Sequence, residues 1–313
     1  MTLAIVVFAI STPLSFLAVA AVLRWLRRKQ ILDHPNERSS HSRPTPRGGG
    51  LAITPLLLIG LLGLGLHPAV IGGAAALFLL SWRDDRGSLP ASVRLALQLA
   101  AVAVGLFFLP PILPGLPFWA DRLLAGFAWL WFVNLYNFMD GIDGITGIET
   151  ISLAIGLALL GGSLPQSALL AGVMLGFLGL NWHPAKIFLG DSGSVPLGYL
   201  LGWMLLSLAG QGHQAAALIL PAYYLADATL TLVKRALRFE PIWQAHRQHL
   251  YQQAVRGGAS HAQVSLLILF CNAMLIATAW LSAKVGWAGL PAAVLITAAL
   301  LIRLGELGRR QSP

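Results

Sequence analysis

Residues 122–144 read RLLAGFAWLWFVNLYNFMDGIDG, a run in which Arg122 is followed by no further charge until Asp140 and Asp143 close it. Hydrocarbon about 30 Å thick takes roughly 20 apolar residues as a helix, so this stretch has the length and greasiness of a bilayer span. Carboxylates are costly at a membrane, and those that are kept there point to a cation or a reaction.

Comparable runs recur near 3–23, 49–66, 69–82, 91–109, 145–161, 166–182, 193–209, 214–234, 262–283 and 286–303. The chain has 313 residues, 57% hydrophobic and only 11% charged, which is more apolar surface than a soluble domain of that length hides. The expectation is an all-α polytopic integral membrane bundle of about eleven transmembrane helices in one domain, residues 1–313. Three runs are short and must tilt or borrow flanking residues.

Charge sets the orientation, because cytoplasmic loops retain Lys and Arg. With the N-terminus periplasmic and the C-terminus cytoplasmic, all of the 21 Lys and Arg except Arg122 and Lys284 fall inside. The net charge of +9 is thereby explained by topology and anionic headgroups, without nucleic acid. The first run has no basic residue before it and Arg27-Arg28-Lys29 after it, the reverse of a secretory signal, so it is expected to remain as a span. The single cysteine, Cys271, excludes a disulfide framework and a cysteine-based metal site. The outside loops are short, and the inside loops carry nearly all the distinctive residues.

Four constellations stand on that inner side. Asp84-Asp85 closes the third run; two adjacent carboxylates repel, and either a multivalent cation or their neighbours Arg83 and Arg86 relieve the repulsion. Asn134, Asn137 and Asp140, three apart, share a helix face that meets a turn carrying Gly141, Asp143 and Gly144. Interhelical hydrogen bonding would explain the two asparagines but not the Gly-x-Asp-Gly turn. Third comes Asn181-Trp-His183-Pro-Ala-Lys-Ile-Phe188-Leu-Gly190-Asp191-Ser-Gly-Ser194, readable as a turn and cap or as a loop offering N–H groups and a carboxylate to a phosphate and its metal. The fourth, His246-Arg247-Gln248-His249-Leu-Tyr-Gln252, lacks the further ligands a zinc site needs and suits phosphate. Asp227 lies inside the ninth run, paired across helices or supporting the site from behind. His183 and His213 read as ordinary interfacial histidines. Oxygen ligands favour Mg2+, with Mn2+ as its substitute, and magnesium held by few protein ligands serves phosphate groups. The chemistry indicated is phosphoryl-type transfer.

In this order the constellations resemble the polyprenyl-phosphate N-acetylhexosamine-1-phosphate transferase superfamily, glycosyltransferase family 4. The first inside loop adds to the likeness with Asp33-His-Pro35-Asn-Glu-Arg38-Ser-Ser-His41 and Pro44-Thr-Pro-Arg47-Gly-Gly-Gly50, so that it extends over positions 33 to 252. The resemblance implies transfer of sugar-1-phosphate from a UDP-sugar to undecaprenyl phosphate with release of UMP, at the cytoplasmic face of a bacterial inner membrane. It implies that Asp191 and Asn137 hold magnesium and that Asp84, Asp85, Asp143, His246 and His249 do the catalytic work. Asp140, Gly141 and Phe188 would bind the nucleotide, with Phe188 stacked on uracil, while Arg47, Asn134 and Arg247 would contact phosphate or sugar. The His246-Arg-Gln-His249 segment lacks the histidine run of the peptidoglycan branch and is more similar to the group that initiates O-antigen synthesis with UDP-N-acetyl-deoxyhexosamines. The peptidoglycan branch, a phospho-MurNAc-pentapeptide transferase, is the alternative. An ion-coupled transporter is the rival of another class, and it predicts carboxylates near mid-membrane and internal symmetry. Pairing with a second copy of the chain is open.

Overall fold

The computed structural model describes residues 1–35, 40, 43–87, 89–241, 244 and 246–310, so that Arg38 and His41 of the opening motif lie outside the described residues. The chain is helical almost throughout. In order come α1 (Thr2–Arg28), a two-stranded hairpin of β1 (Leu32–Asp33) and β2 (Thr45–Pro46), then α2 (Gly50–Gly63), α3 (Pro68–Arg86), α4 (Ala91–Leu106) and α5 (Phe118–Phe138). These are followed by α6 (Ile145–Leu159), α7 (Leu164–Asn181), α8 (Asp191–Gly210), α9 (Gln214–Ile219), α10 (Ala222–Leu237), α11 (Leu250–Arg256), α12 (His261–Val285) and α13 (Leu290–Arg309). Among the described residues, four stretches are long and apolar enough to cross a membrane: Thr2–Arg28, Leu164–Asn181, Asp191–Gly210 and His261–Arg309.

The helices that fall short of a full span do so for local reasons. Those at Gly50–Gly63, Ala91–Leu106 and Ile145–Leu159 are apolar but short. The ninth run is not one helix but two, α9 and α10, parted at Leu220-Pro221, because proline has no N–H to donate back along a helix. In contrast, α3 runs past its expected end to Arg86, so Asp84 and Asp85 stand on its last turn.

Small residues let the helices approach closely, as expected where apolar lipid leaves little hydrophobic drive between them. Added Cβ atoms at Gly172 and Gly176 of α7 would lie 2.1 Å from Ser11 Oγ and 2.3 Å from Thr12 O of α1. Ser15 Oγ–H donates to Val173 O at 2.6 Å across the same seam. Trp129 of α5 donates to Tyr199 O of α8, and the Tyr199 hydroxyl donates to Ala101 O of α4, tying three helices at one level.

Hydrogen bonds also separate the two ends of the bundle. At one end short connectors are knitted together: Asp121 accepts from the N–H groups of Ile112 and Leu113, Gln214 donates to Ile112 O, and Gln166 donates to Leu64 O. The longer polar segments around Arg47, Asp140, Gly190 and His249 gather at the other end.

Candidate active site at the polar end of the bundle

Helix α8 begins where the site begins. Gly190, with φ +78° in the left-handed region, turns the chain into the helix, and an added Cβ there would be 3.1 Å from Asp85 Oδ2. Asp85, at the end of α3, accepts from the N–H groups of Asp191 at 3.2 Å and Ser192 at 3.0 Å. A carboxylate at a helix start satisfies N–H groups that have no partner within the helix. Helix α2 starts against the same point: a Cβ on Gly50 would lie 2.2 Å from Gly193 N, and Thr54 donates to Ser192 O. The glycines of Arg47-Gly-Gly-Gly50 therefore bring the segment between α1 and α2 against the loop that carries Asp191.

Arg47 bridges the two acids, with Nε 3.2 Å from Asp85 Oδ1 and Nη2 2.5 Å from Asp191 Oδ1. Phe188 fixes the arginine's backbone, its N–H donating to Pro46 O and its carbonyl accepting from Gly48 and Gly49. Asp84 turns to α4, accepting from Arg94 at 3.1 Å and from Leu89 N–H at 2.6 Å. The counterions of the acid pair are thus Arg47 and Arg94, not the adjacent Arg83 and Arg86.

From α5 and the turn after it come Asn137, whose Oδ1 accepts from Ser194 Oγ–H at 2.5 Å, and Asp140, which accepts from Thr146 Oγ–H at 2.6 Å. Helix α11 closes the remaining side. Its Tyr251 hydroxyl donates to Phe138 O, and a Cβ on Gly141 would lie 2.2 Å from that hydroxyl oxygen, so glycine is needed for α11 to dock.

These groups surround one cavity of about 740 Å3, lined by Arg47, Asp84, Asp85, Arg86, Arg94, Asn137, Asp140, Gly141, Asp191, Gln244, His246, His249 and Gln252, among others. An apolar groove of about 340 Å3 shares Asp84, Arg94, Asn137, Phe138 and Asp191 with it and runs on between Leu80, Leu95, Leu130, Trp131 and Val195. The polar chamber therefore opens onto a slot between helices.

The electrostatics are crowded. Burial pushes the Asp85 carboxyl up, Arg47 pulls it back and Asp191 adds to the rise. Burial raises Asp140 to about 6, although the Thr146 hydroxyl and Arg47 oppose it. Burial, then His249 and Arg235, push His246 down to about 4, leaving it a neutral imidazole near pH 7. Four carboxylates face three guanidiniums on the lining, so any phosphate that enters meets a surface with no positive excess from these groups.

Four expected site residues do not line the chamber. Asp143 does not line the cavity: it accepts from His183 Nδ1 at 2.6 Å and from Ala185 N–H at 3.1 Å, with His261 Nδ1 at 3.2 Å. Burial alone would raise its pKa, but these partners hold it below the usual carboxylate range. His183 is accordingly no ordinary interfacial histidine but part of an Asp143–His183–His261 cluster. In that cluster His261 receives the Asp143 N–H and contacts Ser40 O, so hydrogen bonding accounts for it without a metal. Asn134 donates to Gln98 Oε1 and Leu130 O and lines the apolar groove rather than the chamber. Arg247 and Phe188 are also absent from the chamber lining. Leu89 and Gln244, by contrast, line it without having been singled out.

The family model for glycosyl transferase family 4 matches residues 67–209. Among curated proteins the chain is similar to a probable undecaprenyl-phosphate N-acetylglucosaminyl 1-phosphate transferase of Bacillus subtilis, 31% identical over 89% of this chain and 87% of that one. It is 29% identical to the decaprenyl-phosphate N-acetylglucosaminephosphotransferase of Mycobacterium tuberculosis, over 82% of this chain and 76% of the other. It is also 32% identical to a phospho-N-acetylmuramoyl-pentapeptide-transferase of a Synechococcus species, over 86% and 87%. Both biosynthetic branches are thus represented among the relatives.

Proposed function

This chain belongs to the polyprenyl-phosphate N-acetylhexosamine-1-phosphate transferase superfamily, glycosyl transferase family 4, and we propose that it moves an N-acetylhexosamine-1-phosphate from a UDP-sugar to undecaprenyl phosphate, releasing UMP. The observation that carries this reading is the junction of the two voids. A chamber of carboxylates, guanidiniums and imidazoles is continuous, through Asp84, Arg94, Asn137, Phe138 and Asp191, with an apolar slot. A long isoprenoid with one phosphate at its end needs both environments side by side.

In this reading an oxygen of the polyprenyl phosphate attacks the β-phosphorus of the UDP-sugar. A new P–O bond forms, the bond to the bridging oxygen of the α-phosphate breaks, and that oxygen leaves with UMP. The attacking phosphate has a second pKa near 6 and is already largely ionised at neutrality, so a general base contributes little. What limits the reaction is bringing two anions into line. Arg47 and Arg94 line the chamber where the two anions would meet, and His246 and His249 line it from the segment before α11.

The donor set suits a divalent magnesium ion. Asp191, Asn137, Asp84, Asp85 and Asp140 offer only hard oxygen. Asp191 and Asn137 would hold the ion, which when bound supplies charge neutralisation to the diphosphate. Mn2+ would serve in its place. Asp84 and Asp85, through Arg94 and Arg47, keep the two guanidiniums aligned. Asp140 and Gly141 form the nucleotide side.

The donor proposed is a UDP-N-acetylated deoxyhexosamine, on the strength of His246-Arg-Gln-His249, and the product would start an O-antigen or similar surface polysaccharide. UDP-N-acetylglucosamine is the competing donor, because the Bacillus and Mycobacterium relatives are named for it. The N-terminus is placed on the periplasmic side and the chamber on the cytoplasmic side of the inner membrane, where the basic loops lie.

The test is purified protein or membranes containing it, undecaprenyl phosphate, Mg2+ and a panel of UDP-sugars, with the released nucleotide identified. UMP with an N-acetylhexosamine donor supports the reading. Release of UDP would mean ordinary glycosyl transfer, and no product with any donor would return the chain to the transporter reading.

A further inference from the structure

We propose that Asp227, buried in α10, is a positioning residue for His249, so that carboxylate and imidazole act as one unit on the phosphate side of the chamber. This rests on the transferase reading above.

Asp227 is fully buried, and among the described residues it pairs with no Lys or Arg. A buried carboxylate persists only where hydrogen bonds replace its water. Here four donors do so: Leu250 N–H at 2.9 Å and Tyr251 N–H at 3.3 Å from α11, and the hydroxyls of Tyr223 at 3.1 Å and Thr231 at 3.3 Å from its own helix. Two of the four come from the residues that directly follow His249. The carboxylate therefore fixes the backbone on which the histidine is carried.

It also faces the ring. His249 Nδ1 lies 3.8 Å from Asp227 Oδ1, and His249 is only 2% exposed while still lining the chamber. The imidazole is held on its other faces by Tyr251, stacked at 5.7 Å, and by His246, with ring centroids 4.8 Å apart. The carboxylate lies on the Nδ1 edge of the ring, which leaves the opposite, Nε2 edge for the chamber. A histidine oriented by a carboxylate is a recurring way to keep an imidazole in one tautomer and one pose.

The experiment is a double-mutant cycle on the full-length protein in detergent or nanodiscs, using Asp227→Asn, His249→Ala and the pair, with kcat, KM for each substrate and thermal stability measured for all four. Asp227→Asn is expected to lower kcat at least about tenfold, with both KM values changed by less than about twofold, and to cost nothing further once His249 is alanine. An equal fractional loss in both backgrounds, a loss expressed in KM, or a wild-type kcat would each overturn the proposal. If Asp227→Asn does not accumulate folded, Tyr223→Phe, which removes one donor from the same carboxylate, replaces it. The expected kcat loss is then smaller and again confined to the background that retains His249. An inactive wild type would instead sink the transferase reading, so the two failures are distinct.

Discussion

Arg47 Nη2 and Asp191 Oδ1 meet at 2.5 Å across 144 residues of sequence, and that contact ties the segment between α1 and α2 to the start of α8. The same guanidinium reaches Asp85, so one side chain keeps two crowded acids apart. Arg47→Ala is expected to lower kcat/KM at least about a hundredfold, in the range found when a preorganised charge-stabilising donor is lost. Arg47→Lys should recover little, because an ammonium cannot span both carboxylates as the fork does. Nucleotide release at saturating and limiting donor measures both.

Asp191→Asn is the sharper probe of the metal proposal. It keeps the shape and an oxygen but removes the charge that a divalent ion needs. The expected outcome is loss of turnover with only a small fall in melting temperature in detergent, since the Arg47 pair is partly exposed and the α8 start is capped by Asp85 rather than by Asp191. A wild-type rate in this variant would remove Asp191 from the metal site.

Asp140 gives a prediction in pH. Its folded pKa, raised by burial to about 6, lies above the ordinary carboxylate value of 3.8. The folded state therefore binds a proton that the unfolded state releases, so this group's stabilising contribution is complete below about pH 4 and is lost as pH rises through 6. Asp140→Asn, measured in chelator, should raise the melting temperature at pH 7.5 relative to wild type, with the advantage vanishing near pH 4. Activity should move the other way. Equal melting temperatures at pH 7.5 would contradict the assignment.

The apolar slot predicts a selective effect on the acceptor. Leu95 is on α4, 49% exposed, and lines the groove but not the chamber. Leu95→Trp should fill part of the groove and raise KM for undecaprenyl phosphate several-fold, leaving KM for the UDP-sugar unchanged. Steady-state kinetics with each substrate varied in turn decides it.

The sequence made the helical class and the gathering of Asp84, Asp85, Asn137, Asp140, Asp191, His246 and His249 legible, because helix ends that alternate between two faces bring every second loop together. It did not make side-chain direction legible. Asp143 lies three residues beyond Asp140, yet the turn through Gly144, at φ +80°, accompanies its facing His183 and His261 instead of the chamber. Asn134 shares a face with Asn137 as the spacing requires, but one turn lower that face meets Gln98 and the apolar groove. Arg94 was read with the other basic residues as charge bias, and only its approach to Asp84 distinguishes it. The break at Leu220-Pro221 was hidden in an apolar run long enough to read as one helix.

The most direct measurement follows the β-phosphorus. Purified protein is given undecaprenyl phosphate, Mg2+ and a UDP-N-acetylhexosamine labelled with phosphorus-32 only in the β-phosphate, and the lipid and aqueous phases are counted. Sugar-1-phosphate transfer predicts label in the lipid phase together with unlabelled UMP in water. Label remaining in the aqueous phase as UDP while sugar passes to lipid would contradict the account.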